Sequence, residues 1–132
     1  MMVVVDTNLL IRLATNDVAA DRNAVIRLIE SNEIRVPKNV LLEVEWVLRS
    51  RYAYSDDQVL AFFEYLADLP SVYLEDEESV RWAITAAATG IDFADAMHLS
   101  SAVTASEHFY TFDRPLFRKA SRLKGALIRL LT

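Results

Sequence analysis

The sequence has no cysteine, only two glycines and three prolines, and no apolar run near the length of a membrane span. Without cysteine there can be no disulfide, no thiolate zinc site and no cysteine nucleophile, so the fold must hold by packing, and a reducing compartment is permitted. So few helix and strand breakers leave little room for a flexible linker, and no internal repeat or low-complexity segment is present. The first residues form no basic leader, and the roughly 20 apolar residues of a membrane helix occur nowhere, so a soluble, cytoplasmic protein is expected. At 132 residues, 53% of them apolar, the chain can close a core of its own, and a single domain over residues 1–132 is expected.

Charge is unevenly spread behind the net value of −5. Residues 1–51 carry seven basic and seven acidic side chains; residues 52–113 carry Arg81 against twelve acids; residues 114–132 carry six basic residues and no acid. The acidic body argues against non-specific binding to duplex DNA. The basic end is compatible with nucleic acid, or with nothing more than a solvated helix face.

Short strands and helices alternate. Val3 to Val5 reads as a strand, Leu9 to Ala14 as a short helix, and Ala19 to Glu30 as a second helix with Asn16 and Asp17 as cap candidates. Ile34 to Val36 is a strand ended by Pro37, and Val40 to Ser50 an apolar helix. Ser55-Asp-Asp-Gln58 fits a capping box opening a helix to Asp68, with a stripe of Val59, Leu60, Phe62, Phe63 and Leu66. Val72 to Leu74 is a third strand. Glu75 to Glu78 suits the N-terminus of a helix that Gly90 would end. Asp92-Phe-Ala-Asp95 starts a small-residue helix over Ala96 to Ser106, Phe109 to Thr111 is a fourth strand, Leu116 to Arg122 a short helix, and Ala126 to Leu130 a last strand. Strands separated by helices predict an α/β fold, a three-layer α/β/α sandwich with a central parallel sheet of about five strands.

Acids mark the carboxyl ends of these strands, where open parallel sheets bind ligands. Asp6 follows the first strand, Asp113 the fourth, Asp95 lies in a first helical turn, and Glu43 lies in the helix after the second strand. Four carboxylates at one edge repel one another unless a cation neutralises them. Hard oxygen donors match magnesium (Mg2+) or manganese (Mn2+), which activate water for displacement at phosphorus. Each acid also has a structural role open to it: Asp6 as an Asx-turn or helix cap with Thr7 and Asn8, Asp95 as the third residue of a capping box begun by Asp92, and Asp113 as a turn residue before Arg114 and Pro115. Helical periodicity places Glu43 and Glu45 on opposite flanks of one apolar stripe and does not choose between them. His98, one turn after Asp95, could be a ligand but reads more readily as a packed structural histidine, and Trp46, Phe62, Phe63 and Trp82 read as core or interface rather than as stacking platforms for bases. Arg114, Arg118 and Lys119, with Arg122 and Lys124, are candidates for phosphate contacts, and Arg12, Arg49 and Arg51 secondary ones.

The segments Val4-Val5-Asp6-Thr7-Asn8, Val40 to Arg49, Gly90 to Leu99 and Tyr110 to Arg114 together resemble the PIN-domain nucleases, and most resemble the VapC toxins of toxin–antitoxin pairs. The resemblance implies a metal-dependent endoribonuclease. It matches Asp6, Glu43, Asp95 and Asp113 to the family's acidic quartet, Thr7 and Asn8 to the polar positions beside the first acid, and Asp92 to a cap or outer position. It further implies an RNA substrate, a homodimer and a cognate antitoxin that covers apolar helices such as those in residues 9–30 and 59–66. One position departs: many relatives carry a further acid where this chain has Pro115, which bears on a second metal. A haloacid-dehalogenase reading fails because Asn8 stands where a second aspartate is needed, and a receiver-domain reading lacks its acid pair and late lysine. The rival is a PIN-like RNA-binding or regulatory module without catalysis, against which the intact quartet argues.

Overall fold

Each strand of this protein is too short to be stable alone and depends on a parallel neighbour and on helices packed against it. In the computed structural model, which describes residues 1–132, the element order is β1 (Met2–Val4), α1 (Thr7–Ala14), α2 (Ala19–Ser31), β2 (Glu33–Val36), α3 (Lys38–Tyr52), α4 (Asp56–Asp68), β3 (Val72–Leu74), α5 (Glu77–Ala87), α6 (Phe93–Thr104), β4 (His108–Thr111), α7 (Arg114–Ala120) and β5 (Leu127–Leu130). Contacts divide the chain into two units, Met1–Asp76 and Glu77–Thr132. No helix is long and apolar enough to cross a membrane.

In the first unit β1, β2 and β3 lie side by side and parallel, with Val3 opposite Ile34 and Ile34 opposite Val72. Ile34 and Val36 of the middle strand are fully buried, while their neighbours Glu33 and Arg35 are exposed. A strand places successive side chains on opposite faces, so this alternation gives one face to the core and leaves a row of Val4, Arg35 and Tyr73 open. The core face meets Leu10, Leu41, Val44, Leu48, Phe63 and Leu66 from α1, α3 and α4, all within a few per cent of complete burial. The stripe expected on α4 is present: Val59, Leu60, Phe63 and Leu66 are buried and Phe62 is half-buried.

In the second unit β4 and β5 pair in parallel from His108 opposite Leu127 to Thr111 opposite Leu130. Helices α5 and α6 pack through small residues: Ala83, Ala87 and Ala96 are buried alongside Val80 and Leu99. Small side chains let two helix backbones approach, and the fully buried Ser79 then needs a polar partner, which Thr104 supplies at 2.9 Å between hydroxyl oxygens.

All five expected strands form and every pairing is parallel, as the α/β reading required. Hydrogen bonding distributes them as a ladder of three and a ladder of two. The helix caps hold several corrections. Asn16 and Asp17 do not cap α2; its N-cap is Val18, with no side-chain bond. Thr7 and Asn8 lie inside the first turn of α1, because Asp6 alone caps it. Gly90 does adopt the positive φ of 109° that glycine tolerates, but α5 stops at Ala87 and a turn intervenes.

The capping box is formed as expected: Ser55 Oγ accepts from the Gln58 N–H at 3.1 Å while Gln58 Oε1 accepts from the Ser55 N–H at 2.8 Å. Ser55→Ala removes one half of this exchange and should destabilise the protein by about 1 kcal/mol, read as a lower urea midpoint at unchanged slope.

Candidate functional site

Asp6 sits where β1 gives way to α1. The strand ends at Val4, Val5 turns into the core, and Asp6 caps the helix by accepting the Leu9 N–H on Oδ1 at 3.1 Å. One carboxylate oxygen is used by the cap and the other is left for a ligand. Thr7, the first residue of α1, donates its hydroxyl to Oε1 of Glu43 on α3. The helix-wheel ambiguity on α3 is thereby resolved. Glu45 turns inward, 6% exposed, and pairs with Arg49, whereas Glu43 is exposed and lines a groove of about 470 Å³ with Asp6, Thr7 and Asn8. This groove continues along α3 past Val40 and Val47 to Trp46 and Arg51.

The second unit holds the other acids. Asp92 caps α6 by accepting the Asp95 N–H on Oδ2 at 3.2 Å, and Asp113 caps α7 by accepting the Leu116 N–H on Oδ1 at 2.9 Å. The Asp113 N–H in turn donates to Thr111 Oγ1 at 3.0 Å, which fixes the strand end. Asp95 is in the first turn of α6 and half-buried. Burial, and then the like charges of Asp92 and Asp113, push its carboxyl above the usual carboxylate range, with His98 opposing. His98 itself is exposed, so it is not the packed histidine that its small-residue helix suggested; the buried face of α6 is taken by Phe93, Ala96, Met97, Leu99 and Ser100.

Among the basic residues, Arg114, Arg118 and Lys119 are exposed on α7, and Lys119 Nζ donates to the Gly90 carbonyl at 3.2 Å. Arg114 and Arg118 keep their guanidinium groups free for solvent or phosphate. Trp46 is not a core residue, one of the two places expected for it: it is 57% exposed. The signal was available, because at about 100° per residue Trp46 lies on the far side of α3 from Val44 and Leu48.

The structure therefore brings Asp6, Thr7, Asn8 and Glu43 to one groove, and Asp92, Asp95 and Asp113 into one another's field. In neither unit do three or more His, Asp or Glu side chains form a group able to hold a metal ion. The donor chemistry nonetheless fits a hard cation: every candidate is a carboxylate, hydroxyl or amide oxygen, as magnesium and manganese prefer.

The raised Asp95 carboxyl has a consequence for stability. Below its ordinary value of 3.8 the side chain is protonated in folded and unfolded chains alike and contributes nothing. As pH rises through the shifted value, the native state resists ionisation and loses stability relative to the unfolded chain. Asp95→Asn should therefore raise the metal-free melting temperature at neutral pH, with the gain vanishing in acid below 3.8; thermal unfolding across that range checks it.

Comparison with known proteins places these observations. The PIN domain family profile matches residues 3–123. No curated protein sequence matches. Among solved structures, a crystal structure of VapBC2 from Rickettsia felis, bound to a DNA fragment from their promoter, is similar at 14% identity and a TM-score of 0.41, covering 100% of each chain. PIN domains are generally nucleases that use divalent metal ions. The family match runs through both units and takes in Asp6, Glu43, Asp92, Asp95 and Asp113, so the chain belongs to the PIN-domain family.

Proposed function

We propose that this protein is a magnesium- or manganese-dependent endoribonuclease, the VapC-type toxin of a toxin–antitoxin pair, and that residues 1–132 act as one nuclease domain. The observation that supports this reading is the groove lined by Asp6, Thr7, Asn8 and Glu43, whose donors are all oxygens of the kind a hard divalent cation prefers. Family membership supports it, since the match spans all four acids, Asp6, Glu43, Asp95 and Asp113.

In this reading Asp6 and Asp95 ligate the metal directly, and Glu43 and Asp113 ligate it directly or through water. A bound divalent ion supplies activation of water and charge stabilisation at the scissile phosphate. The chain's own residues do the positioning. Thr7 holds Glu43 Oε1 by its hydroxyl, and the helix caps hold one oxygen each of Asp6 and Asp113, which fixes both carboxylates at their strand ends. Asp92 anchors the turn that carries Asp95. Arg114, Arg118 and Lys119 contact RNA phosphates, which steer the strand without reading its sequence. The working form is a homodimer, kept inactive in the cytoplasm by a cognate antitoxin.

Capping and ligation are separable by substitution, because asparagine caps a helix about as well as aspartate. Asp6→Asn and Asp113→Asn should keep near wild-type stability and lose manganese-dependent cleavage of a mixed structured-RNA pool by at least a hundredfold. Asp6→Ala should lose about 1 kcal/mol of stability as well. Cleavage by wild type that survives EDTA would sink the metal-dependent reading. RNA binding without cleavage in any divalent metal would favour the non-catalytic module. Arg114→Gln with Arg118→Gln should weaken RNA binding and lower the slope of log affinity against log salt by about 1 to 2, whereas an unchanged slope would show that they only solvate α7.

A further inference from the structure

The groove that begins at Asp6 and Glu43 runs on to an aromatic and a cation. Trp46 stands on its wall with 57% of its surface in solvent, enters no ring stack and has no partner for its indole N–H. Arg51 lines the same groove, is exposed and joins no ion pair, although its neighbour Arg49 is tied to Glu45 and Asp56. Val40 and Val47 supply an apolar floor between the acids and this pair. The exposed indole offers an apolar plane and an unused N–H donor at the wall of the groove.

Resting on the nuclease reading above, we propose that Trp46 and Arg51 form a subsite for single-stranded RNA next to the acids: a base stacks on Trp46 and a phosphate pairs with Arg51. Eight residues of α3 separate Glu43 from Arg51, about 12 Å of helix rise, so the acidic and basic ends of the groove address different nucleotides of one strand. Charge supports an RNA occupant. The unpaired Arg51 guanidinium takes a phosphate and the exposed Trp46 indole takes a base, a combination that a nucleotide strand supplies and an acidic peptide, with no base to stack, does not. Stacking on an aromatic plane tolerates any base but requires an unpaired one, so the subsite selects loops and single strands over duplex.

Trp82→Phe leaves Trp46 as the one tryptophan of the chain, because the sequence has two. With Asp95→Asn added to block turnover, a mixed-sequence single-stranded oligoribonucleotide should quench Trp46 fluorescence, and the same strand in a duplex or with abasic sites should not. Trp46→Leu and Arg51→Gln should each weaken binding of a labelled single strand by about tenfold, with melting temperatures kept near wild type. Equal quenching by duplex or abasic strands, or unchanged affinity in a folded Trp46→Leu protein, overturns the subsite. So does a Trp46→Leu protein that changes from dimer to monomer at constant RNA affinity, since Trp46 would then serve a second copy of the chain. The two readings fail separately: wild type that cuts no RNA, with quenching and both affinity losses intact, keeps the subsite and removes catalysis, while a Trp46→Leu enzyme that cuts and binds like wild type does the reverse.

Discussion

Three helices of this protein begin on an aspartate side chain. Asp6, Asp92 and Asp113 each accept the backbone N–H of the third residue of the helix, and each thereby satisfies one of the donors that a helix start leaves without a partner. The constraint fixes more than the helices. A cap must stand at the junction between the preceding segment and the helix, and its carboxylate must face the helix N-terminus, where the backbone dipole favours negative charge. Two of the junctions, at Asp6 and Asp113, also lie at the carboxyl ends of strands. The same geometry that starts α1 and α7 thus presents a charged oxygen at the rim of each ladder.

Because a carboxylate has two oxygens, capping does not exhaust it. The capped oxygen immobilises the side chain, and immobilisation is what a hard cation site needs, since magnesium in particular tolerates little deviation from its preferred geometry. Asp95 shows the cost of burying a carboxyl beside other acids. It is half-buried in the field of two other acids, and its carboxyl resists ionisation.

Glu43 and Glu45 show how packing assigns different work to two like residues. They flank one apolar stripe of α3, and the core takes the Glu45 side, where Arg49 neutralises the buried charge. The open side then carries Glu43, Trp46 and, in the last turn, Arg51, so that one helix shows an acid, an aromatic and a base along a single groove.

The sequence by itself determined the element order, the parallel pairing and the identities of the caps at Ser55, Asp6 and Asp92, because these depend on local chemistry: hydrophobic period, short strands joined by helices, and side chains that accept nearby N–H groups. It also singled out the acids, by their positions at strand ends. Element boundaries drifted by a few residues, as where α6 opens at Phe93, since helix ends depend on which donor finds a partner. Only tertiary structure decided the rest. Val18 rather than Asn16 or Asp17 stands at the start of α2, His98 faces water, Trp46 is left exposed, and Glu43 rather than Glu45 faces the groove. These outcomes depend on which side of a helix a neighbouring element covers. Periodicity within one helix defines two flanks but carries no information about where the next helix will lie.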